Sequence, residues 1–320
     1  MFLNPSKLGL SREVPSLKDF MLKQPMMRRV IIALLPILAF SILNFGWKVL
    51  INTLVSTGVC FFIEYVFERM KKKKISEAVF VTGLLVGLIL PPSTPLWIVA
   101  VASGIGIFFG KEVFGGFGRN VFNPAMVGRA FVYVSFPLYL TAKWNLPVFP
   151  NGFKYWLSPE LTTGATPLEV LKSGELLKRL DLFFGNISGS SGETAKWLIV
   201  AAAFYLILTK TASWKIILST VGSMMGLTLI LQLPGIVNYN VFDAVLSGGV
   251  LFAAVFMATD PISAPRKEAA KWLYGLIIGV SATIIRTFSL FSEGIMFGVL
   301  IGNTFAPLLD VMVSSRSGKK

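Results

Sequence analysis

The chain has 320 residues and a net charge of +14; 54% of it is hydrophobic and only 14% charged, with a mean hydropathy of +0.71. Soluble domains carry roughly 25% charged residues, so this shortfall, with long apolar runs throughout, places the chain in a bilayer and excludes a soluble core. The basic excess is split among short segments rather than gathered into a groove, which argues against nucleic acid, and a chain with no histidine and one cysteine, Cys60, lacks the residues that hold haem, iron–sulfur clusters or zinc.

No metal site is therefore assigned, and a redox role requires an organic cofactor or a neighbour's metal. Residues 1–29 contain Lys7, Arg12, Lys18, Lys23, Arg28 and Arg29 but no apolar core of the right length for a cleavable signal; they are read as a cytoplasmic segment. Ten apolar segments follow, at about 30–50, 51–68, 77–91, 95–112, 121–141, 195–210, 213–233, 244–259, 270–288 and 292–313. Several are shorter than the ~20 residues of a straight span; one stops at Pro91-Pro92 and another at Asp260-Pro261. With the N-terminus inside, the inside loops hold 21 of the 30 basic residues, and the short outside loops near 91–95, 234–243 and 289–291 hold none. The expected fold is an all-α integral membrane protein of about ten transmembrane helices with both termini cytoplasmic.

The polar stretch 142–194, rich in Gly, Ser and Thr, then lies outside, and a loop of this length in a compact bundle is usually functional. A weak internal repeat is also present: Thr82 to Pro95 resembles Gly248 to Pro261, and Asn120 to Pro137 lines up with Ser292 to Pro307. Five helices per half makes the halves inverted, an arrangement that places irregular backbone near mid-membrane. The expected division is 1–29 cytoplasmic, 30–141 first five-helix repeat, 142–194 extracytoplasmic loop, 195–313 second repeat and 314–320 cytoplasmic tail.

Four constellations could carry chemistry. Leu161-Thr-Thr163-Gly164-Ala165-Thr166-Pro167-Leu168 reads as a tight turn. Gly164 permits close approach of a ligand, Pro167 fixes the exit, and Thr166 presents a hydroxyl among small residues. On the residues alone, a Thr-rich turn opening a helix near 168–178 is the simpler account. Phe183 to Thr194 either offers backbone N–H groups to an anion at a helix start or is a flexible linker ending in a Ser/Thr cap. Gly110 to Arg129 holds Lys111, Glu112, Arg119 and Arg129 at the membrane boundary, where charges are costly; Glu112 could neutralise Lys111, and Asn120 could cap the next helix. Asp260, in Met257-Ala-Thr-Asp-Pro-Ile-Ser-Ala-Pro265, could meet a cation or pair with Arg266 or Lys267; Arg286 and Glu293 lie further on.

Thr163-Gly-Ala-Thr166-Pro-Leu, the Gly110–Arg129 stretch, the Gly/Ser run ending in Gly192-Glu-Thr194, Met257-Ala-Thr-Asp260-Pro, Thr82-Gly-Leu-Leu through Pro92, Ile285-Arg286-Thr-Phe and Glu293-Gly-Ile-Met-Phe occur in one order and together resemble the RnfD/NqrB family over about residues 20–312. The resemblance implies a subunit of an ion-translocating electron-transport complex in the bacterial plasma membrane, working with other membrane and peripheral subunits. It implies FMN attached through its phosphate to Thr166, with Thr163 where the family often has Ser and Gly164, Ala165, Pro167 and Leu168 completing the site. A separate FMN transferase would act on the outer face. Asn120, Asn123 and Arg129 become cofactor-contact candidates, and a second, noncovalent flavin such as riboflavin is expected between the repeats. Candidates for the ion path are Glu112, Asp260 and Glu293. The short N-terminal segment favours the ferredoxin:NAD (Rnf) branch, coupled to Na+ or H+; the alternatives are the NqrB-type subunit of a Na+-pumping NADH:quinone reductase, a solute channel without redox role, and a scaffold.

Overall fold

A computed structural model describes residues 21–158, 161–163, 170, 171, 173, 178–289, 291 and 293–317. The elements are overwhelmingly helical. In the first half they are α1 (Pro25–Phe45), α2 (Lys48–Met70), α3 (Ala78–Ile89), α4 (Leu96–Ile107), which runs on as a π-helical turn (Phe108–Glu112), α5 (Pro124–Ser135) and α6 (Pro137–Thr141). After the short α7 (Arg179–Phe184) come α8 (Lys196–Leu208), α9 (Trp214–Gln232), α10 (Val241–Leu246), α11 (Val250–Phe252) with a second π-helical turn (Ala253–Met257), α12 (Glu268–Phe288) and α13 (Gly294–Ser317). A 3-10 turn (Asn151–Lys154) and two small ladders complete the regular elements among the described residues. Strand β1 (Met21–Leu22) pairs in parallel with β2 (Ile75–Ser76), and β3 (Lys143–Asn145) pairs antiparallel with β4 (Leu161–Thr163).

Each expected apolar segment contains helix, with shifted boundaries. The first starts at Pro25, where proline suits the first helical position, and it ends at Gly46, whose φ of 101° suits glycine. The Trp47 N–H then donates to the Tyr155 carbonyl at 3.2 Å, so the helix break falls before Trp47 rather than at residue 50. The fifth segment breaks at Phe136-Pro137, and the eighth is split by Ser247 to Gly249. Five helices are long and apolar enough to cross a bilayer: Pro25–Phe45, Lys48–Met70, Trp214–Gln232, Glu268–Phe288 and Gly294–Ser315; Ala78–Ile89 and Lys196–Leu208 are apolar but shorter. An all-α membrane protein therefore stands.

Within the first half α2 packs on α3 and α4, and α4 on α5; within the second α9 packs on α10 and α12, and α12 on α13. The halves meet through α1 against α8 and α5 against α13. Hydrocarbon supplies no hydrophobic drive between helices, so close approach depends on small residues. A Cβ at Gly83 would lie 2.4 Å from Thr57 Cα, and one at Gly279 would lie 2.4 Å from the Thr220 carbonyl oxygen. The outward faces carry Leu208, Leu218, Ile230 and Leu233, all more than half exposed, as a lipid-facing surface requires.

Candidate functional site

Charged residues inside the bundle define the site, because each must be paired or hydrogen-bonded to be tolerated there. The first cluster lies where α4 changes to its π-helical turn, a local widening that recurs at functional positions. It turns Lys111 and Glu112 inward, and both are buried. Lys111 Nζ lies 2.5 Å from Glu64 Oε2 of α2 and 2.7 Å from Ser76 Oγ, while Ser76 N–H and Oγ–H donate to Glu64 Oε1 at 2.8 and 2.6 Å. Glu112 pairs instead with Lys71, at 2.9 Å. The expected Lys111–Glu112 neutralisation is thus replaced by two crossed pairs. Adjacent residues of a helical turn point in different directions, and each found a partner on α2 or just beyond its end.

A narrow cavity of about 50 Å3 opens beside this cluster, between the halves. Its polar lining includes Lys111, Asn120, Asn123, Thr259 and Asp260, and its apolar walls come from α1, α3 and the second π-helical turn. Asp260 accepts from Ser263 Oγ at 2.9 Å and, weakly, from the Ile262 N–H at 3.4 Å. Pairing with Arg266 or Lys267 does not occur: the backbone N–H groups of both go to Asp310, at 2.9 and 2.8 Å. Asp260 has no salt bridge among the described residues, so a half-buried carboxylate faces the cavity with hydrogen-bond donors alone.

The helix cap expected at Asn120 is supplied by Asn123, whose Oδ1 accepts from Ala125 and Met126 N–H at 3.0 and 3.3 Å. The reason is positional: Pro124 is the first helical residue, so Asn123 occupies the cap. Its N–H donates to Asn303 Oδ1 at 3.0 Å, and Asn303 Nδ2 donates to Tyr274 Oη at 2.7 Å. The two asparagines thereby tie α5 to α13 at the cavity floor.

The second cluster lies at the other end of the bundle. Arg129 of α5 donates through Nη1 to Glu193 and through Nη2 to Glu293, with Ser190 Oγ at 3.1 Å from Nη2. Lys196 Nζ donates to the carbonyls of Glu193 and of Gly248, the latter at 2.8 Å, and Arg286 Nη1 donates to Ala244 O at 2.6 Å. Arg129, Lys196 and Arg286 are each at most 4% exposed. The stretch before α8 is not a free linker ending in a Ser/Thr cap. It folds back into the bundle, with the Gly192 N–H on Leu88 O at 2.7 Å and Ser191 O accepting from Ser41 Oγ at 2.6 Å; α8 has no side-chain cap.

The ion-path candidates thus fall in three places: Glu112 beside Lys71, Asp260 in the cavity, and Glu293 in the Arg129 cluster. Asn120 and Asn123 line the cavity, whereas Arg129 is engaged by carboxylates. Thr163 closes β4 opposite Lys143; Gly164, Ala165, Thr166, Pro167 and Leu168 lie outside the described residues. Glu64, Glu193 and Lys196 did not stand out in the sequence, though the two glutamates in the apolar run of α2, Glu64 and Glu68, were signal enough. A cavity of about 50 Å3 accommodates a few waters or a hydrated ion, since a water needs roughly 10–15 Å3 on this measure. A tricyclic flavin ring does not fit it as it stands.

Fold and site together define a polytopic membrane protein with two buried charge clusters and a cavity between the halves beside the first of them. The chain belongs to the NQR2, RnfD, RnfE family, whose model matches residues 12–319. It is similar to the B-type subunit of the Na(+)-translocating NADH-quinone reductase of Ectopseudomonas mendocina, 38% identical over 273 residues, covering 81% of this chain and 65% of that protein. The same-named subunits of Azotobacter vinelandii (37%, covering 81% and 65%) and Pseudoalteromonas atlantica (34%, covering 82% and 69%) are also similar. The chain thus spans about two thirds of the length of these relatives.

Proposed function

We propose that this chain is the membrane subunit of a sodium-translocating NADH–quinone reductase, relaying electrons through FMN held on Thr166 and coupling that flow to cation movement. The observation that carries the reading is the similarity, over 81% of the chain, to a B-type subunit of that enzyme; Thr163-Gly-Ala-Thr166 supplies an attachment motif. These relatives favour the quinone-reductase branch over the ferredoxin:NAD branch that the short N-terminal segment suggested.

The reading includes ten spans in two inverted repeats, 30–141 and 195–313, with 142–194 outside. The matching pairings support it: second helix on third and fourth, fourth on fifth, in each half. Sidedness is supported by contacts that gather the basic segments at one end. Leu22 pairs with Ser76, Lys73 Nζ reaches Gly115 O at 3.4 Å, and Lys215 pairs with Glu268 at 2.9 Å. FMN, when bound, supplies one- and two-electron chemistry. Thr166 contributes the hydroxyl oxygen of the phosphoester. Asp260 offers a cation the cavity's unpaired carboxylate, and Lys111–Glu64 holds the neighbouring wall. A two-state shift of the halves that changes Asp260 access would couple the processes.

The test is flavin fluorescence in a denaturing gel, with the chain co-expressed with an FMN transferase. A fluorescent wild-type band that is dark for Thr166→Ala is expected. A dark wild-type band, with the transferase active on a control substrate, refutes the assignment and favours a solute channel, which would conduct in liposomes without flavin.

A further inference from the structure

A second, larger cavity of about 430 Å3 lies at the end of the bundle where α8 turns into α9 and the segment after Asp260 leads into α12. Its charged lining is Lys210, Arg266, Lys271 and Glu268, three cations against one carboxylate. Glu268 is already committed, to Lys271 at 2.6 Å and to Lys215 at 2.9 Å. Asp310, the other nearby acid, accepts the backbone N–H groups of Arg266 and Lys267. Neither the Lys210 ammonium nor the Arg266 guanidinium forms an ion pair among the described residues, so two cations converge on one cavity with no acid left to balance them.

Lys210 adds a backbone argument. Its φ is 56°, in the left-handed region where a helix terminus usually places glycine. The turn is held by the Lys210 N–H on Ile207 O at 2.9 Å and the Thr211 N–H on Leu206 O at 2.8 Å. A lysine there forgoes the easier backbone and sets an ammonium at the cavity edge.

The cavity's surroundings are those of a membrane–water boundary. Trp214 and Trp272, at the starts of α9 and α12, meet edge-to-face with centroids 5.7 Å apart, and tryptophan favours that level of the bilayer. Met26, Ile207 and Ile216 form apolar walls. From the rim, Leu208 (80% exposed) and Leu218 (54%) lead down the outer faces of α8 and α9. Unpaired cations at the boundary above an apolar slope match a phosphate headgroup with acyl chains, as basic pockets between transmembrane helices do elsewhere.

We propose that this cavity holds the headgroup of an anionic phospholipid, its phosphate between Lys210 and Arg266 and its acyl chains along α8 and α9. The proposal rests on the chain being a membrane protein and on nothing in its redox chemistry. A failed flavin test leaves it standing, and its own failure leaves the flavin reading standing.

The test uses the full chain, purified in mild detergent and stripped of lipid. Phosphatidylglycerol, phosphatidylcholine or inorganic phosphate is added, and bound lipid is counted by native mass spectrometry alongside the thermal unfolding midpoint. Phosphatidylglycerol is expected to remain bound and to raise the midpoint, while phosphatidylcholine does neither. Lys210→Gln with Arg266→Gln is expected to weaken retention at least about tenfold, one to two charge-assisted contacts. Lys154→Gln, an exposed cation at the opposite end, is expected to change nothing. Lys210→Gly provides the second variant: it removes the ammonium while suiting the left-handed backbone, so it folds and still loses retention. Equal retention of both lipids, undiminished retention in Lys210→Gly, or an equal midpoint rise with inorganic phosphate would overturn the proposal, the last by revealing a free-anion site.

Discussion

Replacing Arg129 by methionine removes the one cation that, among the described residues, both Glu193 and Glu293 contact through hydrogen bonds. The side chains of all three are at most 10% exposed, so neither carboxylate can turn to water without moving backbone. Breaking a buried ion pair by deleting one partner costs about 3–5 kcal/mol, because the other charge stays behind. Two carboxylates share this cation, which places the loss at the upper end; Lys196 and Arg286 nearby temper it. Thermal unfolding in detergent, followed by tryptophan fluorescence, should therefore show a large fall for Arg129→Met. Most of it should return in Arg129→Met/Glu193→Gln/Glu293→Gln, since a neutral set carries no stranded charge. The reasoning is refuted if Arg129→Met unfolds within about 1 kcal/mol of wild type, the size of an exposed pair, or if the triple variant is no more stable than the single one.

Gly279→Ala should lose about 1–3 kcal/mol in the same assay, because its Cβ would lie 2.0 Å from Ser223 Oγ and 2.4 Å from the Thr220 carbonyl oxygen; Gly222→Ala, with nothing within 4 Å, should be neutral or stabilising. Glu77 receives the Arg28 guanidinium and the Gln24 N–H, the latter at 2.7 Å, and the Arg28 hydrogen bond holds its carboxyl below the usual carboxylate value. The pair's contribution is thus complete above the ordinary carboxylate range and disappears as pH falls through the lowered folded value; Glu77→Gln should flatten the acid side of a stability-versus-pH profile and leave pH 7 to 8 parallel to wild type. Asp260→Asn should raise the Na+ concentration needed for half-maximal turnover of the assembled complex about tenfold, the loss of one charge-assisted contact, without loss of assembly; an unchanged Na+ requirement excludes Asp260 from the path.

The helical content of the apolar segments was legible because in a bilayer the apolar run is itself the signal. Their ends were less so. Gly46 ends α1 through contacts with Tyr155 and Trp156, more than a hundred residues away, and no local pattern encodes that. The clusters were half legible. Lys111, Glu112, Arg129, Asp260 and Glu293 stand out as charges in apolar surroundings, but their partners do not follow from proximity in sequence. Lys111 passes over its neighbour Glu112 for Glu64, 47 positions away, and Arg129 finds Glu293, 164 positions away. The Gly/Ser-rich run before α8 misled for a different reason. Its composition is that of a linker, yet its small residues are what let backbone pass between Leu88, Leu90 and Ser41 inside the bundle.

The placement of charge gives the fold its functional logic. Lys111 with Glu64 and Arg129 with Glu193 and Glu293 are closed systems in which every charge faces its opposite, and such pairs are poor ion ligands because a passing cation would have to displace a covalently tethered one. Asp260 differs: it is half-buried, held among the described residues only by hydrogen-bond donors, and lines the cavity between the halves. A cation entering there gains a carboxylate without breaking an existing pair. The closed clusters instead tie their helices together, and Arg129 of the first half reaches Glu293 of the second. If the proposed ion passage requires the halves to shift, the Arg129 cluster is where that shift would meet electrostatic resistance, and Asp260 is where an ion would meet the least.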